Sequence, residues 1–155
     1  MIERGVRRKL EKKITQTPKA VVDESYRLIS FKRGAEPVWE RFRQLFAPGA
    51  ILALRVFPED KAISLMGLED YVIKQIREGM KEEGYSEKIV SRREFTFGHI
   101  SEVRVVFEMQ FGEGRPHTAL DIYQLVRNQG RWWIVAIISE ILEPDAPVPE
   151  GFLGS

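Results

Sequence analysis

The stretch Leu120–Leu142, LDIYQLVRNQGRWWIVAIISEIL, decides how this chain folds. Two runs rich in β-branched and aromatic residues flank Asn128, Gln129 and Gly130. Glycine tolerates positive φ, so a short glycine-containing link between such runs predicts a β-hairpin. Side chains alternate across a strand. Trp132, Ile134, Ala136 and Ile138 are therefore expected on one face, and Trp133, Val135, Ile137 and Ser139 on the other. Both faces are largely apolar until Ser139 and Glu140. One face can cover helices of the same chain. The other needs a second cover, and a twin subunit is the simplest supply, so a homodimer through the sheet is expected. The alternative is a central strand buried on both sides within one chain.

Working outward, Val103–Phe111 alternates more cleanly. Val103, Val105, Phe107, Met109 and Phe111 share one parity, and Arg104, Val106, Glu108 and Gln110 the other. One dry and one mixed face is the pattern of an antiparallel sheet. Upstream, Thr17–Pro18 is a helix start, with threonine as N-cap and proline at the first helical position. Val22, Tyr26 and Ile29 fall on one side of that helix. A second helix is expected after Glu36–Pro37, with Val38, Trp39, Phe42, Leu45 and Phe46 as its apolar face and Pro48–Gly49 as its stop. Ala50–Phe57 reads as a strand, Lys61–Gly67 as a connector, Leu68–Glu83 as a third helix buried through Val72, Ile76 and Met80, and Lys88–Phe97 as a strand. The order helix, helix, strand, helix, then four strands predicts an α+β fold: a cone-shaped, curved antiparallel sheet covered by three N-terminal helices. Residues 1–16 form a basic arm, in which Ile2, Val6, Leu10 and Ile14 recur every four residues. Residues 17–143 form the single domain, and 144–155 an extended C-terminal tail.

Composition narrows the function classes. One domain is the default for 155 residues. A 43% hydrophobic and 30% charged balance fits a soluble globular chain, and a net charge of +1 gives no reason to expect a nucleic-acid partner. The absence of cysteine excludes disulfides and thiolate chemistry. No apolar run approaches a membrane span, and the N-terminus lacks the apolar core of a secretory signal, so a cytoplasmic protein is expected. His99 and His117 have no second histidine at metal-ligand spacing, so no metal site is expected, and no cofactor motif occurs.

Several strings resemble the nuclear-transport-factor-2-like superfamily, in particular its SnoaL-like, polyketide-cyclase-like branch. They are ISFKRG at Ile29–Gly34, WERFRQLFAPGA at Trp39–Ala50, GRWWIV at Gly130–Val135 and PVPEGFL at Pro147–Leu153. They look like an uncharacterised bacterial subgroup, and the resemblance spans about residues 17–153. It implies a conical, cystatin-like α+β fold, homodimers through the sheet and a pocket between helices and sheet. It does not imply one activity, because members include isomerases, cyclases, dehydratases, transport factors and proteins with no known activity.

The ketosteroid-isomerase-like members use an aspartate base near the first strand. Here that strand reads Ala50, Ile51, Leu52, Ala53, Leu54, Arg55, with no carboxylate, which argues against that mechanism. Tyr26 could match the tyrosine donor of those members, or it could be a packed core residue. Asp121 and Glu108 are the carboxylate candidates. If its parity faces the pocket, Asp121 would sit among aromatic neighbours that raise its pKa. If not, it is a surface or interface charge. Tyr26, Trp39, Phe42, Phe107, Tyr123 and Trp133 are the candidate pocket lining. Three functions fit these residues: a site for a small apolar or ring-shaped molecule, a non-enzymatic dimeric protein-interaction module, or a cyclase, isomerase or dehydratase using a strand carboxylate with Tyr26.

Overall fold

The computed structural model describes residues 13–75 and 79–154. Helix α1 runs Pro18–Ile29 and α2 Trp39–Arg43. Strand β1 is Phe46–Leu54 and β2 Ser64–Gly67. Helices α3 (Leu68–Gln75) and α4 (Met80–Glu83) follow, then β3 (Tyr85–Phe97), β4 (Ile100–Phe111), β5 (His117–Asn128) and β6 (Arg131–Ile141). The six strands form one sheet in the order β2-β1-β6-β5-β4-β3. The last four make the expected antiparallel meander, whereas β1 runs parallel to β6, so the sheet is mixed. The fold is α+β, with a curved sheet wrapped around α1.

Helix α1 begins as its sequence dictates. The Thr17 side chain accepts from the Ala20 amide at 3.1 Å, and Pro18 occupies the first turn. Its buried face, Val21, Val22, Ser25, Tyr26, Leu28 and Ile29, packs across β3, β4 and β6. At its C-terminus Phe31 bridges to Tyr85. Ser30 Oγ donates to the Tyr26 carbonyl at 2.9 Å and accepts from the Glu87 amide at 3.0 Å. The helix end is thereby stitched to the edge strand β3.

The hairpin turns on Gln129 and Gly130, both at positive φ (52° and 76°), the combination that matches strand twist in a two-residue turn. Beyond it the strict alternation expected for β6 fails. Gln124 pairs with Ala136 and Leu125 with Ile134, so Val135 is an extra residue. Such a bulge bends the strand and reverses its parity. Trp132 and Ile134 face inward before it, Ile137 and Ser139 after it, and Ile138 faces outward with 48% of its surface exposed. A second register shift, at Ile89–Ser91, does the same in β3.

Other expectations need correction. β1 starts four residues early, at Phe46, and Pro48–Gly49 form an irregularity within it (Gly49 φ 81°) rather than a helix stop. The second helix is only five residues long, because Leu45 and Phe46 already belong to the approach to β1. The connector at Lys61–Gly67 contains the short strand β2. The third helix is described over Leu68–Gln75, and a separate turn of helix starts at Met80 after Gly79 at φ 89°; Ile76 lies outside the described residues, as do Ile2, Val6 and Leu10. Ile14 packs against the core.

The outer face of the sheet is not left wholly for a partner. The C-terminal tail folds back over β3 and β4, where Arg93 donates to the Leu153 carbonyl at 3.0 Å and Arg104 to that of Phe152 at 3.1 Å. Both guanidinium groups flank the Phe95 ring. Among the described residues, Ile51, Leu65 and Ile138 on the β2–β1–β6 half remain exposed.

The bulge separates two adjacent isoleucines energetically. Ile137→Ala is expected to cost about 2–4 kcal/mol and Ile138→Ala under about 1 kcal/mol in denaturant unfolding. Equal costs would contradict the reversed parity.

Candidate functional site

The interior between α1 and the sheet contains a polar pocket in an otherwise apolar core. Helix α1 supplies Ser25 and Tyr26, β3 supplies Tyr85 and Glu87, and β5 supplies Asp121 and Tyr123. Ser139 comes from β6, Tyr71 and Gln75 from α3, and Arg55 from just beyond β1. Phe42, Leu52, Phe107, Met109 and Ile137 complete the apolar walls.

Asp121 lies on the inward parity of β5, 6% exposed, opposite Ser139 on β6. The Tyr26 hydroxyl donates to its Oδ2 at 2.5 Å. Burial pushes the Asp121 carboxyl up to about 6, while the hydroxyls of Ser139 and Tyr26 favour its ionised form and limit the rise. Tyr26 itself is pushed well above the ordinary phenol range by burial and by the Asp121 charge, so it remains a donor. Its ring meets Phe107 edge-on at 5.2 Å, which fixes the hydroxyl's aim. Beside it, Ser25 Oγ donates to the Val22 carbonyl at 2.6 Å, and Tyr123 OH lies 2.8 Å from the same oxygen. A hydroxyl has one proton, so Tyr123 must be the donor in the second bond.

Glu87 is the residue that sequence reading missed. Its backbone lies on the sheet's edge, so the residue as a whole is half-buried, but its carboxyl end lines the pocket. Burial first, and the Asp121 charge second, push that carboxyl up to about 8, with only the Tyr85 hydroxyl opposing. At neutral pH the pocket therefore holds one carboxylate, Asp121, and one carboxylic acid, Glu87. Two carboxyl groups whose surroundings drive their pKa values apart are the usual basis of a base-and-acid pair. The signal for Glu87 was present: Tyr85, Glu87 and Ile89 share a parity. It was lost because the strand was expected to begin at Lys88, and it begins at Tyr85.

The remaining candidates divide. Tyr26, Phe42, Phe107 and Tyr123 line the pocket together with Asp121. Glu108 does not: it pairs with Thr118 on the outward parity. Trp39 packs edge-on against Phe42 at 5.4 Å, one layer away from the pocket. Trp133 lies on the outer face, where the Arg131 guanidinium stacks on it at 3.7 Å and its indole N–H donates to the Asn128 carbonyl at 3.0 Å. Among the described residues no group of three acidic or histidine side chains could hold a metal ion. No helix among them is long and apolar enough to cross a membrane.

The free space is unevenly distributed. The inner pocket has a volume of about 40 Å³, enough for water or a very small group. Adjoining it is an open cleft of about 920 Å³ between the segment after β1 and the segment after β6. Arg55 and Ile141 line both spaces.

No family model and no curated protein matches the chain. Solved structures do. A proposed scytalone dehydratase from Novosphingobium aromaticivorans is similar over 96% of this chain and 94% of its own, with a TM-score of 0.61 at 13% identity. A proposed calcium/calmodulin-dependent protein kinase type II association domain from Thiobacillus denitrificans is similar over 84% and 98%, with a TM-score of 0.62 at 14% identity. An NTF2-like protein of unknown function from Methylobacillus flagellatus gives 0.53 over 81% and 89%, also at 14% identity. The chain has the NTF2-like fold. At these identities the likeness concerns architecture, and the NTF2-like frame itself hosts different chemistries.

Raised carboxyl pKa values set a pH signature. Between the unfolded and folded values the native state holds more protons than the unfolded state, so stability falls as pH rises. Unfolding free energy is expected to decrease from about pH 4 to about pH 8, by on the order of several kcal/mol. Asp121→Asn should flatten the lower part of that slope and Glu87→Gln the upper part, both read by denaturant titrations across pH. A flat profile for the unsubstituted chain would contradict the burial of both acids.

Proposed function

We propose that the chain is a small-molecule enzyme of the proton-transfer kind, an isomerase, cyclase or dehydratase, working in the pocket between α1 and the sheet. The observation that carries this reading is the Tyr26–Asp121–Ser139 group sharing one apolar enclosure with the Glu87 carboxyl. Asp121 takes a proton from the ligand, Glu87 returns one, and the Tyr26 hydroxyl holds Asp121 in place until the ligand competes for it. Such roles need opposite protonation states at one pH, and burial provides them without a metal ligand set. The ring-shaped body expected of the ligand exceeds the inner space, so only a small reacting end enters while the bulk rests in the adjoining cleft. The dehydratase name carried by one similar structure agrees with this reading.

The test is isotope exchange. A panel of small carbonyl and β-hydroxycarbonyl compounds, incubated with the protein in deuterated water, should contain members that gain deuterium or lose water. The rate should rise and fall with pH, with limbs near 6 and 8 set by the two acids. Asp121→Asn should lower it by roughly 100-fold or more with folding retained. Full activity in that variant would sink the assignment.

A twin subunit fits the half of the outer face that the tail leaves bare. Leu65, Ala53, Ile138 and Ile122 form one row across β2, β1, β6 and β5, with Leu65 78% and Ile138 48% exposed, and Ile51 beside them 52% exposed. An exposed apolar row of this kind marks an interaction surface, and association domains are among the similar structures. Leu65→Glu with Ile138→Glu should convert a dimer to a monomer in sedimentation velocity. An unsubstituted chain that stays monomeric at high concentration would remove this part.

A further inference from the structure

Arg55 stands where the two spaces meet. It lines the inner pocket and the open cleft alike, and it is the one basic side chain lining the inner pocket among the described residues. Its side chain is only 27% exposed. A guanidinium carries five N–H donors in a fixed fork. Arg55 spends Nη1 alone, on Glu140 Oε1, leaving Nε and Nη2 without a hydrogen bond to the described residues. Glu140 is a loose partner. It is 48% exposed on the cleft rim, and the same Oε1 accepts from the Ile141 amide at 3.0 Å, so it keeps a donor when Arg55 turns away.

We propose that Arg55 is the specificity-determining anchor of the site and that the ligand is an organic carboxylate. Its carboxylate takes the fork of Arg55 in place of Glu140, a one- or two-carbon end reaches toward Asp121 and Glu87, and its body lies in the cleft. A planar fork with two free donors matches a carboxylate bidentately, which a lysine could not do. Phe111, Ile141, Leu142 and Pro144 give apolar walls for the body, and Glu59, Asp60 and Glu143 on the same cleft leave Arg55 and Lys61 as the basic groups among its lining residues that can receive the carboxylate. This inference rests on the reading of the pocket as a small-molecule site, and it deepens that reading by naming the substrate class.

The test uses para-fluorobenzoate and its neutral isostere para-fluorobenzamide, titrated against the full chain by fluorine NMR at neutral pH. The unsubstituted protein is expected to bind the carboxylate roughly ten-fold tighter than the amide. Arg55→Met should abolish that preference with folding retained, Arg55→Lys should retain part of it, and Glu140→Gln should strengthen carboxylate binding by removing the competitor. Equal affinities in the unsubstituted protein, no binding of either probe at millimolar concentration, or a preference that survives Arg55→Met would overturn the proposal. So would inorganic phosphate displacing the probe more effectively than acetate. Asp121→Asn separates this claim from the catalytic one. Carboxylate preference should persist in that variant while exchange activity is lost; persistence of both would reject the role of Asp121 and leave Arg55 as the anchor.

Discussion

The hydrogen bond from Tyr26 to Asp121 is the constraint on which the interior depends. It joins the C-terminal half of α1 to β5, beside the Ser25–Tyr123 hydrogen bond, across a layer whose other walls are apolar. A buried carboxylate without donors costs far more than a domain of this size can spare. Asp121 is tolerated because α1 brings a hydroxyl from one side and β6 brings Ser139 from the other. Burial raises the Glu87 carboxyl, and the field of the Asp121 anion adds to that rise, so the two acids are coupled across the pocket.

Positioning follows from the ends of elements more than from their middles. Ser30, immediately after α1, clamps the Glu87 amide, and Phe31 pairs with Tyr85, so the helix carrying Tyr26 and the strand carrying Glu87 are one unit. The bulge at Val135 turns Ser139 inward beneath Asp121 and leaves Ile138 outside. In a strand alternating strictly through Val135 the serine would face solvent and an isoleucine would lie against the carboxylate. The bulge therefore couples the curvature of the sheet to the polarity of the site.

Much of the architecture was legible because the physics was local. Thr17–Pro18 announced α1, Gln129–Gly130 the hairpin, and Val103–Phe111 a strand with one dry face, and all three stand. The bulge in β6 was not legible: no glycine or proline marks Val135, and only its pairing with Gln124 and Leu125 reveals it. Pro48–Gly49 misled in the opposite sense, since a proline and glycine can interrupt a strand as well as end a helix. In the site, a strand carboxylate could be paired with Tyr26 as one option, but Asp121 could not be chosen over Glu108, because alternation assigns parity without saying which parity faces inward. Glu87 was hidden by a strand boundary placed three residues late, and Arg55 was visible only as a residue within a strand, Ala50–Phe57, noted for lacking a carboxylate. Trp39 and Trp133 show the converse: aromatic bulk predicts burial or stacking, not membership of a cavity.

The central claim is that one pocket holds Asp121 as a base and Glu87 as an acid at the same pH. Carbon-detected NMR of the side-chain carboxyl groups, followed through a pH titration of the folded protein, tests it most directly. The account predicts that the Asp121 resonance moves near pH 6 and the Glu87 resonance near pH 8, and that Asp121→Asn brings the Glu87 midpoint down. Both groups titrating together between about pH 4 and 5, the range of exposed carboxyls, would contradict it.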